Sequence, residues 1–246
     1  MIKKNRISKY TLYAIGEIIL VVIGILIALQ INNTNELSKQ RNLELHYLKN
    51  IKTDLILNIK HLENYIDTRE TAINSANEVI AHYEGKPIKD LKAFSRHTVN
   101  IYTWRKFFQI NNTFQELMNS GNLALISNDS IKDILLNMES LYKLMKDGEA
   151  HFRYDSEVLL YEPSYNMMDM NPIVQNYMYY ASKGAVGENR ELSEKEFQNM
   201  LKDIKQKNGF VMAVYQFSEM NVQFNEMKNM CEQLIVLIDK ELIKND

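Results

Sequence analysis

The chain has a single cysteine, Cys231, in 246 residues. It cannot form an intramolecular disulfide, so an oxidising compartment is permitted but is not used to staple the fold. Proline and glycine are scarce, at three and eight. A β-sandwich needs a turn signal every ~8–12 residues, and the turn residues for that are missing, so the chain is expected to be all-α. An excess of positive charge is missing too, since 29 Lys and Arg face 31 Asp and Glu. Without a basic footprint to release counterions from phosphates, nucleic acid is not expected as a partner.

The patterns that carry chemistry are also lacking. His46, His61, His82, His97 and His151 are scattered, with neither an i,i+4 pair nor the Cys/His spacing of a zinc site. No Ser-His-Asp or Cys-His-Asn order can be read, and Gly121 belongs to no Gly-x-Ser-x-Gly elbow. Ser120-Gly121 lacks the second glycine and the following lysine of a phosphate cradle, and reads as a helix stop. Met167, Met168 and Met170, near Met178, read as flexible packing rather than as thioether ligands. Tyr177, Tyr179 and Tyr180 beside them line a pocket, a partner surface or the core. Cys231 falls on an apolar helix face and reads as a buried, inert thiol. No cofactor, metal or catalytic residue is assigned, and the chain is not expected to be an enzyme.

What is present is one long apolar run. Leu12 to Ile31 carries a single formal charge, Glu17, and about 20 such residues form a helix that crosses a bilayer core of about 30 Å. Lys3, Lys4, Arg6 and Lys9 precede it with no acid among them, whereas the far flank offers Lys39 and Arg41 against Glu36. The positive-inside rule then predicts a cytoplasmic tail over 1–11, a transmembrane helix over 12–31 and a periplasmic domain over 32–246. Tyr10 and Tyr13 stand where the inner aromatic belt would lie. Gln30-Ile31-Asn32-Asn33 lacks the small-x-small pattern that a signal peptidase requires, so the segment is expected to stay as an anchor. Four of the basic and one of the acidic residues precede Asn32, which leaves the remainder with a formal charge of −5. That remainder is long enough to bury a core of its own.

Helical periodicity runs through the rest. From residue 43 to 83, Leu48, Ile51, Leu55, Ile59, Leu62, Ile66, Ile73, Ala76, Ile80 and Tyr83 make one apolar stripe on a polar helix. Gly85 and Pro87 stop it, and Asn32-Asn33-Thr34-Asn35 is the expected break from the preceding span. A second helix, capped by Asp90, is expected over about 90 to 109 with an aromatic face of Phe94, Trp104, Phe107 and Phe108. A short helix follows, with Asn112 or Thr113 as its cap, Gln115 or Glu116 reaching back, and Gly121 ending it in the left-handed conformation. Ser127-Asn128-Asp129 caps a longer one with Ile131, Ile134, Leu135, Met138, Leu141, Tyr142 and Met145 on its buried side. Pro163 and Pro172 bracket an irregular piece, Glu162 to Asn171. A short helix to about 182 and a loop with Gly184 and Gly187 come next. Ser193-x-x-Glu196 is a capping box for a helix to about 207, and the last helix covers about 210 to 243. With no internal repeat, one elongated antiparallel helical bundle behind an N-terminal transmembrane helix is the simplest architecture.

Tyr13 to Asn33 resembles the opening of a widespread family of uncharacterised single-span proteins from Bacteroidota, domain of unknown function 6090. Thr113-Phe114 through Ser120-Gly121-Asn122-Leu123 to Ile126 and Asn128 resembles that family's second hallmark. A Trp usually follows the Asn-Asn pair in the family, and Thr34 stands there in this chain. The resemblance implies a bacterial inner-membrane protein with a periplasmic helical domain. It carries over no catalytic or ligand residue, and it gives the motif of Thr113, Phe114, Ser120, Gly121 and Asn128 no role.

Within the span, Glu17 and Gln30 are the polar residues to explain. An ionisable group there is costly and is a functional hypothesis by default. The plainer reading has Glu17 lean to the nearby interface or pair with a neighbour's Lys or Arg; the sharper one makes it a proton or cation relay. Glu17, Val21, Gly24 and Ala28 share one helix face, and Gly24-x-x-x-Ala28 is a small-residue pair that lets two spans approach. The expected function is that of a membrane-anchored, non-enzymatic helical protein, acting through homo-oligomerisation or another envelope protein. The alternatives are an ion-conducting or motor-associated subunit that uses Glu17 and a periplasmic ligand-sensing domain. A tail of about 11 residues is too short for a cytoplasmic output domain of its own. A hydrolase or transferase would need a cleft with convergent polar groups.

Overall fold

The computed structural model describes residues 4–102 and 104–244, with side chains from residue 12 onward. The side chains of Lys3, Lys4, Arg6, Lys9 and Tyr10, on which the orientation argument rests, lie outside the described residues. The fold is all-α, with no strand among the described residues.

One helix, α1 (Lys4–Tyr83), runs from the apolar segment into the core, about 120 Å at 1.5 Å per residue. Residues 12 to 40 are exposed on all sides. They include a stretch long and apolar enough to cross a membrane, none of it buried against the rest of the chain. The expected break at Asn32–Asn35 does not occur. Thr34 Oγ1 donates back to Gln30 O at 2.8 Å within the helix, and the neighbouring Asn side chains stand in the open. A break would create two new helix ends with about eight orphaned backbone groups, whereas four residues of middling propensity cost about 2 kcal/mol in all.

From Arg41 onward α1 is the first leg of an up-down-up-down bundle. It ends in a Schellman motif: Gly85 N donates to His82 O, Lys86 N to Ala81 O, and Gly85 takes φ +104°. The second leg descends through α2 (Leu91–Tyr102), an extended stretch over 104–111, α3 (Asn112–Asn119) and a 3₁₀ turn, Asn122–Leu125. Asp90 Oδ1 accepts from Ala93 N at 3.0 Å, so the predicted cap of α2 is present. The helix stops at Tyr102 rather than near residue 109. The third leg is α4 (Asp129–Ser156), which passes through a π-helical turn, Glu157–Tyr161, into α5 (Glu162–Met167).

The irregular piece expected between Pro163 and Pro172 shrinks to Met168 and Asp169. Pro163 has no N–H for the carbonyl one turn back and its ring crowds that carbonyl, and the wider π turn just before it relieves both. A distal cap of α6 (Met170–Ala181) and α7 (Glu194–Met200) follows. Ser193 caps α7, which ends at Met200, short of the expected 207; the Glu196 carboxylate accepts from Asp169 N instead of reaching back. The fourth leg, α8 (Ile204–Ile243), is capped by Asp203 and returns to the base. Ion pairs Lys207–Glu84, Lys228–Glu63, Lys52–Asp239 and Arg41–Glu241 mark α8 as antiparallel to α1 along its length.

The buried stripe of α1 differs from the apolar one read from the sequence. Leu48, Ile51, Leu55, Leu62, Ala72, Ala76 and Val79 are buried, and the positions between them at helical spacing belong to Asn58 and Arg69, each 1% exposed. Ile59, Ile66, Ile73, Ile80 and Tyr83 flank the core, partly buried. Two polar residues at the centre of a core need partners, and the extended stretch supplies them.

Candidate functional sites

The apolar segment offers its polar face unaccompanied. Glu17, Gly24, Ala28 and Gln30 are exposed. A Cβ placed on Gly24 would meet nothing within 4 Å. The structure therefore brings none of these residues into contact with the bundle.

The motif of residues 113–128 lies at the base of the bundle and acts as a clamp. Asp54 Oδ2 on α1 accepts from Thr113 N at 3.3 Å and from Thr113 Oγ1 at 2.9 Å. The start of α3 is thus held from a neighbouring helix, and no side chain of its own N-cap, Asn111, takes part. Glu116 accepts from Tyr47 OH at 3.1 Å instead of reaching back. Phe114 is buried, Ser120 Oγ donates to Glu116 O, and Gly121 has φ +71°, as a left-handed helix stop requires.

Below it, buried Glu44 accepts from Ser127 N at 2.6 Å and Ser127 Oγ at 2.8 Å. Asn128 caps α4 and donates to Glu241 Oε1 at 2.9 Å. Arg41 bridges Glu44 and Glu241. Lys244, Asn128 and Arg41 hold the Glu241 carboxyl down at about 2. Three chain segments, α1, the start of α4 and the end of α8, are tied together here, about ten residues beyond the apolar run. The arrangement is structural: every acid in it is spent on a donor.

Above the clamp, the stretch over 104–111 threads the bundle as a strap whose backbone is satisfied by buried side chains. Asn58 Nδ2 donates to Ile110 O at 2.7 Å and its Oδ1 accepts from Ile110 N at 2.8 Å. Tyr65 OH donates to Lys106 O, and Arg69 Nη2 to Arg105 O at 2.8 Å. From α4, Glu149 Oε1 accepts from Phe107 N at 2.7 Å, and Lys146 donates to both Phe107 O and Glu149 Oε2. The Arg69 guanidinium sits 4.6 Å from the Phe217 ring centroid and 5.6 Å from that of Trp104. Burial brings its pKa down to about 10 against the pull of Glu149, which leaves it charged at neutral pH. Sequence reading missed Asn58, Arg69 and Glu149. The available signal was a polar residue at each stripe position where the 3–4 spacing called for an apolar one.

At the distal end two clefts open. Glu78, His82, Lys86 and His97 border one; His82 Nδ1 is engaged by Lys86 O at 2.8 Å and His97 Nδ1 by Ser75 Oγ at 3.2 Å. Among the described residues no group of three His, Cys, Asp or Glu side chains is placed to hold a metal ion. The second cleft, about 410 Å³, is bordered by Tyr102, Tyr161, Ser164, Tyr165, Val174 and Tyr177. Of the residues noted in the sequence, Met170 and Tyr177 belong to it; Tyr180 instead lies under Arg96, at 4.1 Å. Tyr102 and Ser164 were not foreseen, being 62 positions apart. Cys231 is fully buried, and burial pushes its thiol up to about 12.

A long apolar lead into a helical bundle, with the hallmark motif as its basal clamp, is the arrangement to set beside known proteins. No curated protein and no solved structure matches the chain. One family does, across residues 17–166, a stretch that takes in most of the apolar segment, the first two legs, the strap and its Glu149 and Lys146 partners, and the π turn. The chain belongs to that family, DUF6090, a family of unknown function.

Proposed function

We propose that this chain is a membrane-anchored, non-enzymatic helical protein that works by association, with its own copies or with another envelope component. Its N-terminus is cytoplasmic, and its bundle stands in the periplasm on a bacterial inner membrane. The observation that carries this reading is the continuity of α1. One helix contains the unburied apolar segment and also forms the first leg of the core. A bundle joined to its anchor by rigid helix rather than by a flexible linker holds a fixed attitude to the bilayer. Any rotation of the bundle about α1 turns the Glu17–Gly24–Ala28 face with it.

Cysteine crosslinking in native membranes tests the reading. Cys231 is buried and its thiol protonated, so an introduced cysteine reports alone. Ala28→Cys is expected to form a disulfide-linked dimer under mild oxidation, whereas Leu26→Cys, on the opposite face, does not. A reporter fused to the C-terminus is expected to be active only outside the cytoplasm. Recovery of the full-length chain in the soluble fraction, a cytoplasmic reporter, or equal crosslinking at both positions would overturn it.

A further inference from the structure

The tyrosine cleft is built like a binding site, and neither the clamp nor the strap uses it. It occupies about 410 Å³, within the range of roughly 300–1,000 Å³ typical of small-molecule pockets. Its border is made of Val, Met, Ser and four Tyr side chains, so no lining group carries a formal charge at neutral pH. Tyr161 and Tyr165 stand as near-parallel rings, 6.2 Å apart at 27°, and Tyr102 packs on Tyr161 at 5.1 Å.

The floor is polar and fixed. Gln206, fully buried on α8, donates through Nε2 to Ser164 Oγ at 2.6 Å, and Ser164 Oγ lies 2.8 Å from Tyr102 OH. The two hydroxyls hold two hydrogens and need only one between them. The other has no acceptor among the described residues, and Gln206 Oε1 is buried without a partner as well. At the rim, the hydroxyls of Tyr165 and Tyr177 make no hydrogen bond within the described residues. Local geometry sustains the site: the π turn that carries Tyr161 packs its Leu160 onto Gly209, where any Cβ would lie 2.6 Å from Leu160 Cδ2. Single π turns inside α-helices cluster at functional sites.

We infer that this cleft binds a neutral sugar ring, which lays one C–H face against the wall formed by the Tyr161 and Tyr165 phenols while its oxygens pair with the Tyr102–Ser164 floor and the rim hydroxyls. A cation would gain from the aromatic faces but would leave the floor hydrogen unpaired. A purely apolar ring would leave floor and rim unpaired together. Buried polar groups left without partners are what such a site discriminates against.

The protein carries its own reporter. Trp104 is the only tryptophan, and its Nε1 donates to Tyr161 OH at 3.2 Å. The full-length chain in lipid nanodiscs, free of sugar-based detergent, is titrated with N-acetylglucosamine and with glucose while Trp104 emission is followed. Choline and cyclohexanol serve as the cationic and apolar probes. A saturable change with at least one sugar is expected, weakened about tenfold by Tyr165→Ala through loss of one ring of the aromatic wall. Val174→Phe, which narrows the mouth, is expected to abolish it. Both positions are substantially exposed, so far-UV circular dichroism should remain that of the parent. Absence of saturation with both sugars, saturation that survives both substitutions, or tighter binding of choline or cyclohexanol overturns the inference.

Discussion

Asn58 gives the sharpest test of the strap. Its side chain is 1% exposed, and its amide makes both hydrogen bonds of the Ile110 peptide groups, at 2.7 and 2.8 Å. Asn58→Leu keeps the branched four-atom shape and removes both partners. Each orphaned backbone group costs about 1–3 kcal/mol, so the pair costs about 4 kcal/mol. Burial of the leucine in place of a polar amide returns about 1–2 kcal/mol. The net loss is about 2–3 kcal/mol, a large share of a domain stability of about 5–15 kcal/mol. Urea unfolding of the full chain, followed by Trp104 emission and by far-UV circular dichroism, reads it directly.

Asn58→Asp adds a sign. A protonated Asp accepts from Ile110 N and donates to Ile110 O, as the amide does, whereas an ionised one lacks the donor and sets a charge against a carbonyl in the core. Its folded pKa must therefore rise above the unfolded value of about 3.9. The stability it contributes is fully present below that value and is lost as pH rises through the folded pKa, by up to about 1.4 kcal/mol per pH unit. A leucine variant as stable as the parent, or an aspartate variant whose stability relative to the parent is flat between about pH 4 and 7, would refute the account.

Arg69→Ala removes the guanidinium between Trp104 and Phe217, orphans Arg105 O and strips a cation from beside Glu149; it should cost about 3–5 kcal/mol in the same unfolding assay, with Arg69→Met, which refills the space, losing clearly less. The Glu241 carboxyl is held from its ordinary 4.5 down to about 2, so its contribution is present above pH 4.5 and is lost as pH falls toward 2; Glu241→Gln should flatten the acid limb of the stability profile, and an unchanged limb would refute the clamp's electrostatics. Gly209→Ala places a Cβ 2.6 Å from Leu160 Cδ2 and 3.0 Å from Leu159 Cβ, an overpacking that should cost about 1–3 kcal/mol even though alanine favours helix. Gly148→Ala, whose nearest neighbour is Gln223 Oε1 at 3.9 Å, should instead stabilise by about 0.5–1 kcal/mol, and thermal unfolding of the two variants should move in opposite directions.

Helix ends set by local chemistry could be read from sequence: the Gly85 stop, the Asp90, Asn128 and Ser193 caps, and the left-handed Gly121. Each needs only residues within a turn of one another. Departures arose where distant side chains decide. Trp104 to Phe108 looks like an aromatic helix face, because period alone cannot reveal that Asn58, Arg69 and Glu149, between 36 and 52 positions away, will take its backbone hydrogen bonds. Asn32 to Asn35 looks like a break because intrinsic preference is local, whereas helix continuity is set by what lies on both sides. The tyrosine cleft left no trace in spacing. Tyr102, Ser164 and Gln206 come from three separate legs, and only packing brings them together.

The strap also explains why the core tolerates so many polar groups. An α-helix of the second leg would be about 10 Å across, whereas a single extended chain needs under half that width. From the Asn58–Ile110 contact to the Arg69–Arg105 contact, α1 advances eleven residues, about 16 Å, and the strap advances five, which at full extension also cover about 16 Å. The two advances match with no helical turn in the strap. Its slimness lets α1, α4 and α8 close around it, so that Phe107, with no exposed surface, reaches Tyr65, Tyr142 and Phe224 at 5.6, 6.1 and 5.9 Å at once. A drawn-out chain has no internal hydrogen bonds, so its backbone must be met by side chains from the surrounding helices. The buried Asn58, Arg69 and Glu149 are therefore a consequence of replacing a helical leg with an extended one, and relaxing the strap into helix would strand all three in the core.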